Sequence, residues 1–238
     1  MNPSEFIFQY RRYFGDAAPL PIAVAYTGIP MEDTPCVPGC IFKQFHKAAN
    51  GTTVTLSARN LTCGGGKPYL GLGPLPDKVC GFVSKVEKYK KNPALVKQAL
   101  EQIDIRPAEK PYINFVRIDS LKSFDGIEGV IFFASPDVLS GLFSWANYDT
   151  DDLNSVTAPW GSGCSVAVTS MVNENRSGGK HCFIGLFDVS ARPYFNPDIL
   201  SFSIPRSRFV EMCDTLSDSC VSGVPAWLKI RKRINSQN

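Results

Sequence analysis

The sequence contains no apolar run approaching the roughly 20 residues that a membrane-spanning helix needs, so no membrane insertion is expected. It has no Cys-x-x-Cys pair and no ferredoxin-type run, so the spacings that announce zinc or an iron–sulfur centre most directly are missing. Only two histidines occur, His46 and His181. A strong excess of one charge is missing as well: the formal net charge is +3, and no basic stripe interleaved with aromatics is present, which argues against nucleic acid as a partner. The basic tail "LKIRKRINSQN" is accounted for as a solvated terminus. The opening "MNPSEFIFQYRRYFG" lacks an apolar h-region and a small-residue cleavage site. It is expected to be a short amphipathic helix capped by Ser4, with Phe6, Tyr10, Tyr13 and Phe14 near one face. The expected compartment is the cytoplasm.

What is present suits one packed globular unit. The chain has 238 residues, of which 44% are apolar and 20% charged. Short apolar or alternating runs predict strands at 21–28, 52–58, 111–120, 128–135, 181–195 and 199–209. Helical spacing and start signals predict helices at 40–51, 92–103, 135–148, 163–175, 207–216 and 225–234. In the second of these Asn92 is the expected cap, and Leu95, Val96, Ala99 and Leu100 the apolar stripe. The elements alternate without a strict βα order, so the expected fold is a mixed α/β or α+β sheet flanked by helices, one domain over 1–238. The Lys-, Gly- and Pro-rich stretch 74–92 is the best internal boundary.

Eight cysteines are many for a reducing compartment, where four structural disulfides are not expected. They sort by surroundings. Cys36 and Cys40 ("TPCVPGC"), Cys63 ("LTCGGG"), Cys164 ("APWGSGCS") and Cys182 (after "RSGGKH") lie in or beside glycine- or proline-rich turns. Cys213 has helical apolar neighbours and is expected in the core. A thiol beside unpaired backbone N–H groups favours the thiolate, the form that binds metals and attacks electrophiles. Glycine lets the backbone approach closely enough to donate to such an anion, so Gly64, Gly65 and Gly163 are candidate cofactor contacts.

Other chemistries fail on their own motifs. In "CGGGKPYLGLG" Lys67 is followed by Pro68 rather than Ser or Thr, so the stretch is no P-loop. Gly71-x-Gly73 runs into Pro74 and Pro76 and opens no helix, so it is no dinucleotide fingerprint. "APWGSGCS" is not a Gly-x-Ser-x-Gly nucleophile elbow, although Gly161-Ser162-Gly163 before a helix could hold an anion. His46 is expected to be a half-exposed helix residue. His181 and Cys182, if in a strand, face opposite ways and cannot easily share one metal.

Taken in order, "LPIAVAYTG", "CIFKQFHKAANG", "LTCGGGKPYLGLG", "GIEGVIFFASPDVLSGLFSWANYDT", "PWGSGCS" and "HCFIGLFDVSARPYFNPDILSFSIPRSRF" resemble the bacterial and archaeal family called domain of unknown function 169, from about residue 18 to about 225. The resemblance implies an anaerobe or archaeon as a common source and a cysteine-bound iron–sulfur centre. Mapped block by block, it implies Cys40, Cys63, Cys164 and Cys182 as ligands, with Cys36 as the substitute for the fourth. The role would be electron transfer with a redox partner protein, or redox or small-molecule sensing, with Lys67, His181 and Arg192 as anchors for an anionic group. Two alternatives stay open. One is a metal-free small-ligand or regulatory module with Trp145, Trp160 and Tyr148 as aromatic walls. The other is a structural zinc on Cys36, Cys40, Cys63 and Cys80.

Overall fold

Strand "GVIFFA" carries bulky apolar residues at both alternating sets of positions, and its neighbour "LSFSIP" sets Leu200, Phe202 and Ile204 against small serines, so both faces must be covered. In the computed structural model, which describes residues 1–36 and 38–236, that demand produces three layers. Val37 and the last two residues of the basic tail lie outside the described residues. The strands are β1 (Ile22–Thr27), β2 (Val54–Leu56), β3 (Tyr112–Arg117), β4 (Gly129–Ala134), β5 (Val156–Thr157), β6 (Cys182–Gly185) and β7 (Leu200–Pro205). They form one sheet in the order β2-β3-β1-β4-β7-β6-β5. Every pairing is antiparallel except β5 with β6, so the sheet is mixed and the fold is α/β in a single compact domain.

The first face carries α1 (Pro3–Phe14), α6 (Pro136–Ala146), α8 (Arg206–Thr215) and α9 (Pro225–Asn235). Here Phe6, Tyr10, Phe14, Trp145, Phe209 and Trp227 meet Phe132 and Phe202 from the sheet. Each such side chain contributes about 1.5–3 kcal/mol on burial. The second face carries α2 (Phe42–Ala49) and the helix through α7 (Met171–Arg176), whose Phe42, Phe45, Val168 and Met171 meet Phe115 and Ile131. The remaining helices, α3 (Gly66–Tyr69), α4 (Val79–Gly81) and α5 (Pro93–Ile103), are grouped around the second layer. Among the described residues no helix is long and apolar enough to cross a membrane.

Local departures have local causes. The cap of α1 is Asn2 rather than Ser4: Asn2 accepts from the Glu5 N–H at 3.0 Å, and its own N–H donates to the Glu5 carboxylate at 2.9 Å. Asn92 caps α5 as expected, but of the expected stripe only Val96 is buried. The helix expected at 163–175 forms, with a π-helical interior over Ser165–Ser170. The strand expected at 181–195 stops at Gly185, because Leu186 adopts φ +70°, which no strand residue can hold. The strand expected at 199–209 ends at Pro205, whose missing N–H suits it to precede α8.

Layer one is tightest where Gly141 lets α6 approach α1 and α9: a Cβ there would fall within 3 Å of the rings of Trp227 and Phe14. Replacing it with valine (Gly141→Val) is expected to lower unfolding free energy by about 1–3 kcal/mol through overpacking. Urea denaturation of the full chain measures this, and an unchanged midpoint would contradict the packing described.

Candidate functional site

The second layer leaves a cavity of about 850 Å³. Its floor is the turn Cys63–Gly66 beside Cys40, and the first turn of the helix at Cys164. The loop 158–162 with Trp160 and the loop 185–190 with Asp188 form two sides. The fourth side is the stretch 75–89, contributing Leu75, Val79, Phe82, Val83, Glu87 and Tyr89. The Lys-, Gly- and Pro-rich segment expected as a domain boundary is therefore a wall of this cavity.

Two cysteines form a hydrogen-bonded pair. The Cys40 thiol donates to the Cys63 sulfur, and that bond holds Cys63 well below the ordinary thiol range. The backbone N–H groups of Gly66, Ile41 and Gly65 add to it, against the opposing effect of burial. Gly66 N lies 3.2 Å from the Cys63 sulfur, and a Cβ on Gly66 would crowd that sulfur and Ile41, so the glycine eases the approach. The same pairing pushes Cys40 up, with burial second. The pairing thus favours the thiolate at Cys63 and the thiol at Cys40.

Cys164 is buried and opens on the same cavity. Burial pushes it up to about 12, partly offset by Ser162, whose hydroxyl is 3.4 Å from its sulfur. Ser162 also engages the Tyr69 phenol, itself raised to about 12 by burial. The Asp188 carboxylate accepts from the N–H groups of Gly163 and Ala191, tying the loop after β6 to the helix start. Burial and the nearby Asp188 raise Glu87.

The expected site residues divide. Cys40, Cys63 and Cys164 meet at one cavity, and Gly64 and Gly65 line it. Cys182 does not join them: in β6 it points into the first-face core while Phe183 points into the second. Cys36 is exposed and does not line the cavity. The Gly163 N–H is spent on Asp188, and a Cβ there would meet the Phe42 ring at 2.8 Å, so this glycine serves packing. Lys67 turns away and donates to the Ala58 carbonyl at 2.8 Å. Arg192 holds the carbonyls of Ile199 and Asn196. Among the aromatic candidates Trp160 lines the cavity, Trp145 is buried on the first face donating to the Met212 carbonyl, and Tyr148 is exposed elsewhere. Cys213 is in the core as expected, and Cys80 does not line the cavity. Among the described residues no group of three or more His, Cys, Asp or Glu side chains is placed to hold a single metal ion, so the zinc set Cys36, Cys40, Cys63 and Cys80 is not assembled. Glu87 and Asp188 carried no sequence signal, since each is a lone carboxylate in a loop or lysine-rich stretch.

His181 lies at a separate cavity of about 380 Å³, beside Asp149, Asp152 and Arg208. Its Nδ1 is 2.6 Å from Glu174 and its Nε2 is 3.1 Å from Asp152. Glu174 above all raises its pKa from 6.5. A raised histidine stabilises the fold fully below the unfolded value and ceases to as pH climbs through the folded one. The stability difference between wild type and His181→Gln should therefore be largest near pH 5.5 and shrink as pH rises past the folded value. Urea midpoints across pH read this, and a difference that grows with pH contradicts it; the half-exposed ring keeps the effect small.

No curated protein and no solved structure matches the chain. A family model does, over residues 16–215, which span the sheet, the three converging cysteines and every wall of the cavity. The chain belongs to that family, domain of unknown function 169, described as "Uncharacterised ArCR".

Proposed function

We propose that the protein binds a small molecule in the larger cavity and acts on it, or senses it, through the thiol–thiolate pair Cys40–Cys63. The observation that carries this reading is that Cys40 and Cys63 meet as a pair at the floor of a mostly apolar cavity, where the thiol of one supports the thiolate of the other. That pairing keeps one sulfur as the nucleophile near neutral pH, with a second sulfur adjacent to resolve the product. With a disulfide in the cavity, the Cys63 thiolate attacks one sulfur and the other half leaves as a thiolate. Cys40 then attacks the mixed disulfide at Cys63, its proton passing to a departing sulfur. The two cysteines end joined, and the halves of the disulfide leave as one thiolate and one thiol.

Iodoacetamide labelling against pH, read by peptide mapping, tests the pair. Cys63 should react with an apparent pKa well below the ordinary 8.5 or so, and Cys40→Ala should move that value up towards it. A Cys63 that titrates as an ordinary thiol in the wild type rejects the proposal.

One observation favours a second reading, an iron–sulfur cluster: a third thiol, Cys164, opens on the same cavity. A cluster spans more space than a single ion, and hydrogen bonds from the backbone to its sulfurs tune its potential. Cys40, Cys63 and Cys164 would hold it, with the Gly64–Gly66 turn beside them, and Cys182 is excluded as the fourth ligand by its orientation. When bound, such a group supplies one-electron chemistry. The chain's own part would be to present three sulfurs and exclude water with the aromatic walls. Protein prepared without oxygen should then contain iron and acid-labile sulfide in similar amounts, and Cys164→Ala should lower both. Metal-free, colourless protein with a reactive Cys63 selects the first reading instead.

A further inference from the structure

We infer that the ligand of the larger cavity is an apolar organic cation, such as an aromatic or alkyl ammonium compound. The inference rests on the reading of this cavity as the ligand site and adds the ligand's charge. Two carboxylates face the space, Glu87 and Asp188. Asp188 is engaged by backbone N–H groups, but among the described residues no hydrogen bond or ion pair engages the Glu87 carboxylate. Against these, Lys78 is the only cation among the described lining residues, and it is exposed, so its ammonium is free to reach water. The cavity therefore holds an excess of negative charge.

The walls match the other half of such a ligand. Phe42, Tyr69, Phe82, Tyr89, Trp160 and Phe187 put aromatic rings around the space. Aromatic faces attract cations, most strongly once water is displaced, and quaternary ammonium groups are recognised this way. The chain already contains a stand-in: the Lys90 ammonium lies 3.9 Å from the centroid of the Trp160 ring at the rim. A carboxylate or phosphate ligand would meet Glu87 and Asp188 as like charges, at a cost rather than a gain.

Calorimetric titration of the full chain with three probes of one shape tests this: 3-phenylpropyltrimethylammonium, 3-phenylpropanol and 3-phenylpropanoate. The cation should bind about tenfold more tightly than the alcohol, and the carboxylate most weakly. Glu87→Gln and, separately, Trp160→Leu should each shrink the gap between cation and alcohol several-fold, with circular dichroism confirming the fold of both. Equal or weaker binding of the cation, no binding of it, or a preference untouched by both variants would overturn the inference. Iodoacetamide labelling of Cys63 on the same preparation, without probe, keeps the two ideas apart. Selective cation binding with an ordinary Cys63 supports this inference while rejecting the thiol proposal; unselective binding with a reactive Cys63 does the reverse.

Discussion

The constraint on which the molecule depends is that its central strands are buried on both sides. Val130 and Phe132 of β4 face one layer of helices while Ile131 faces the other, and β6 repeats the division with Cys182 and Phe183. A strand of this kind has no side to give to water, so each layer needs its own aromatic filling. The first layer is packed by stacked and edge-on rings running from Phe6 through Tyr10 and Phe14 to Trp227. The second is filled near the sheet by Phe42, Phe45 and Phe115, but further out its elements are short turns and wide helices, and a hollow is left. It is in that second layer that the sulfur atoms of Cys40, Cys63 and Cys164 meet open space.

Within the hollow, glycine decides where charge resides. Gly66 allows its own N–H to reach the Cys63 sulfur, and Gly163 lets Asp188 close on the helix start. The result is a thiolate and two carboxylates within an apolar enclosure, an arrangement with an electrostatic cost unless a proton or a cation is shared among them. Cys40 supplies part of that compensation by donating its proton to Cys63. The strained Leu186, at φ +70°, lies at the same place and ends β6 so that the Asp188 loop can turn inward.

Much of this was legible beforehand where the signal is local. Glycine next to cysteine pointed to Cys40, Cys63 and Cys164, and these three do meet. Strand alternation separated His181 from Cys182, but alternation alone does not say which face of a sheet will hold the hollow, and Cys182 turned out to lie on the filled side. Lys67 follows three glycines as a phosphate-binding lysine would, yet its stem packs at Gly73 and its ammonium goes to Ala58. Residues 74–92 have the composition of a linker because an outer wall is also solvated on one side: Phe82 and Val86 are half or more exposed while Ser84 is buried. Glu87 and Asp188 depend on tertiary placement alone.

Two elements that border the hollow, Phe82–Val86 and Ser165–Ser170, are wound as π-helix, with bonds such as Glu87 N to Phe82 O at 3.1 Å reaching five residues back. Such a turn accommodates one amino acid more than its neighbours. Loss of a single codon from either stretch would let the coil relax to ordinary winding and rotate everything on one side of it by about 100°. Because Met171 and Val172 are anchored against the sheet, in the second stretch it is Cys164 that would swing out of the hollow. In that segment chain length, as much as side-chain identity, keeps the third sulfur where it is.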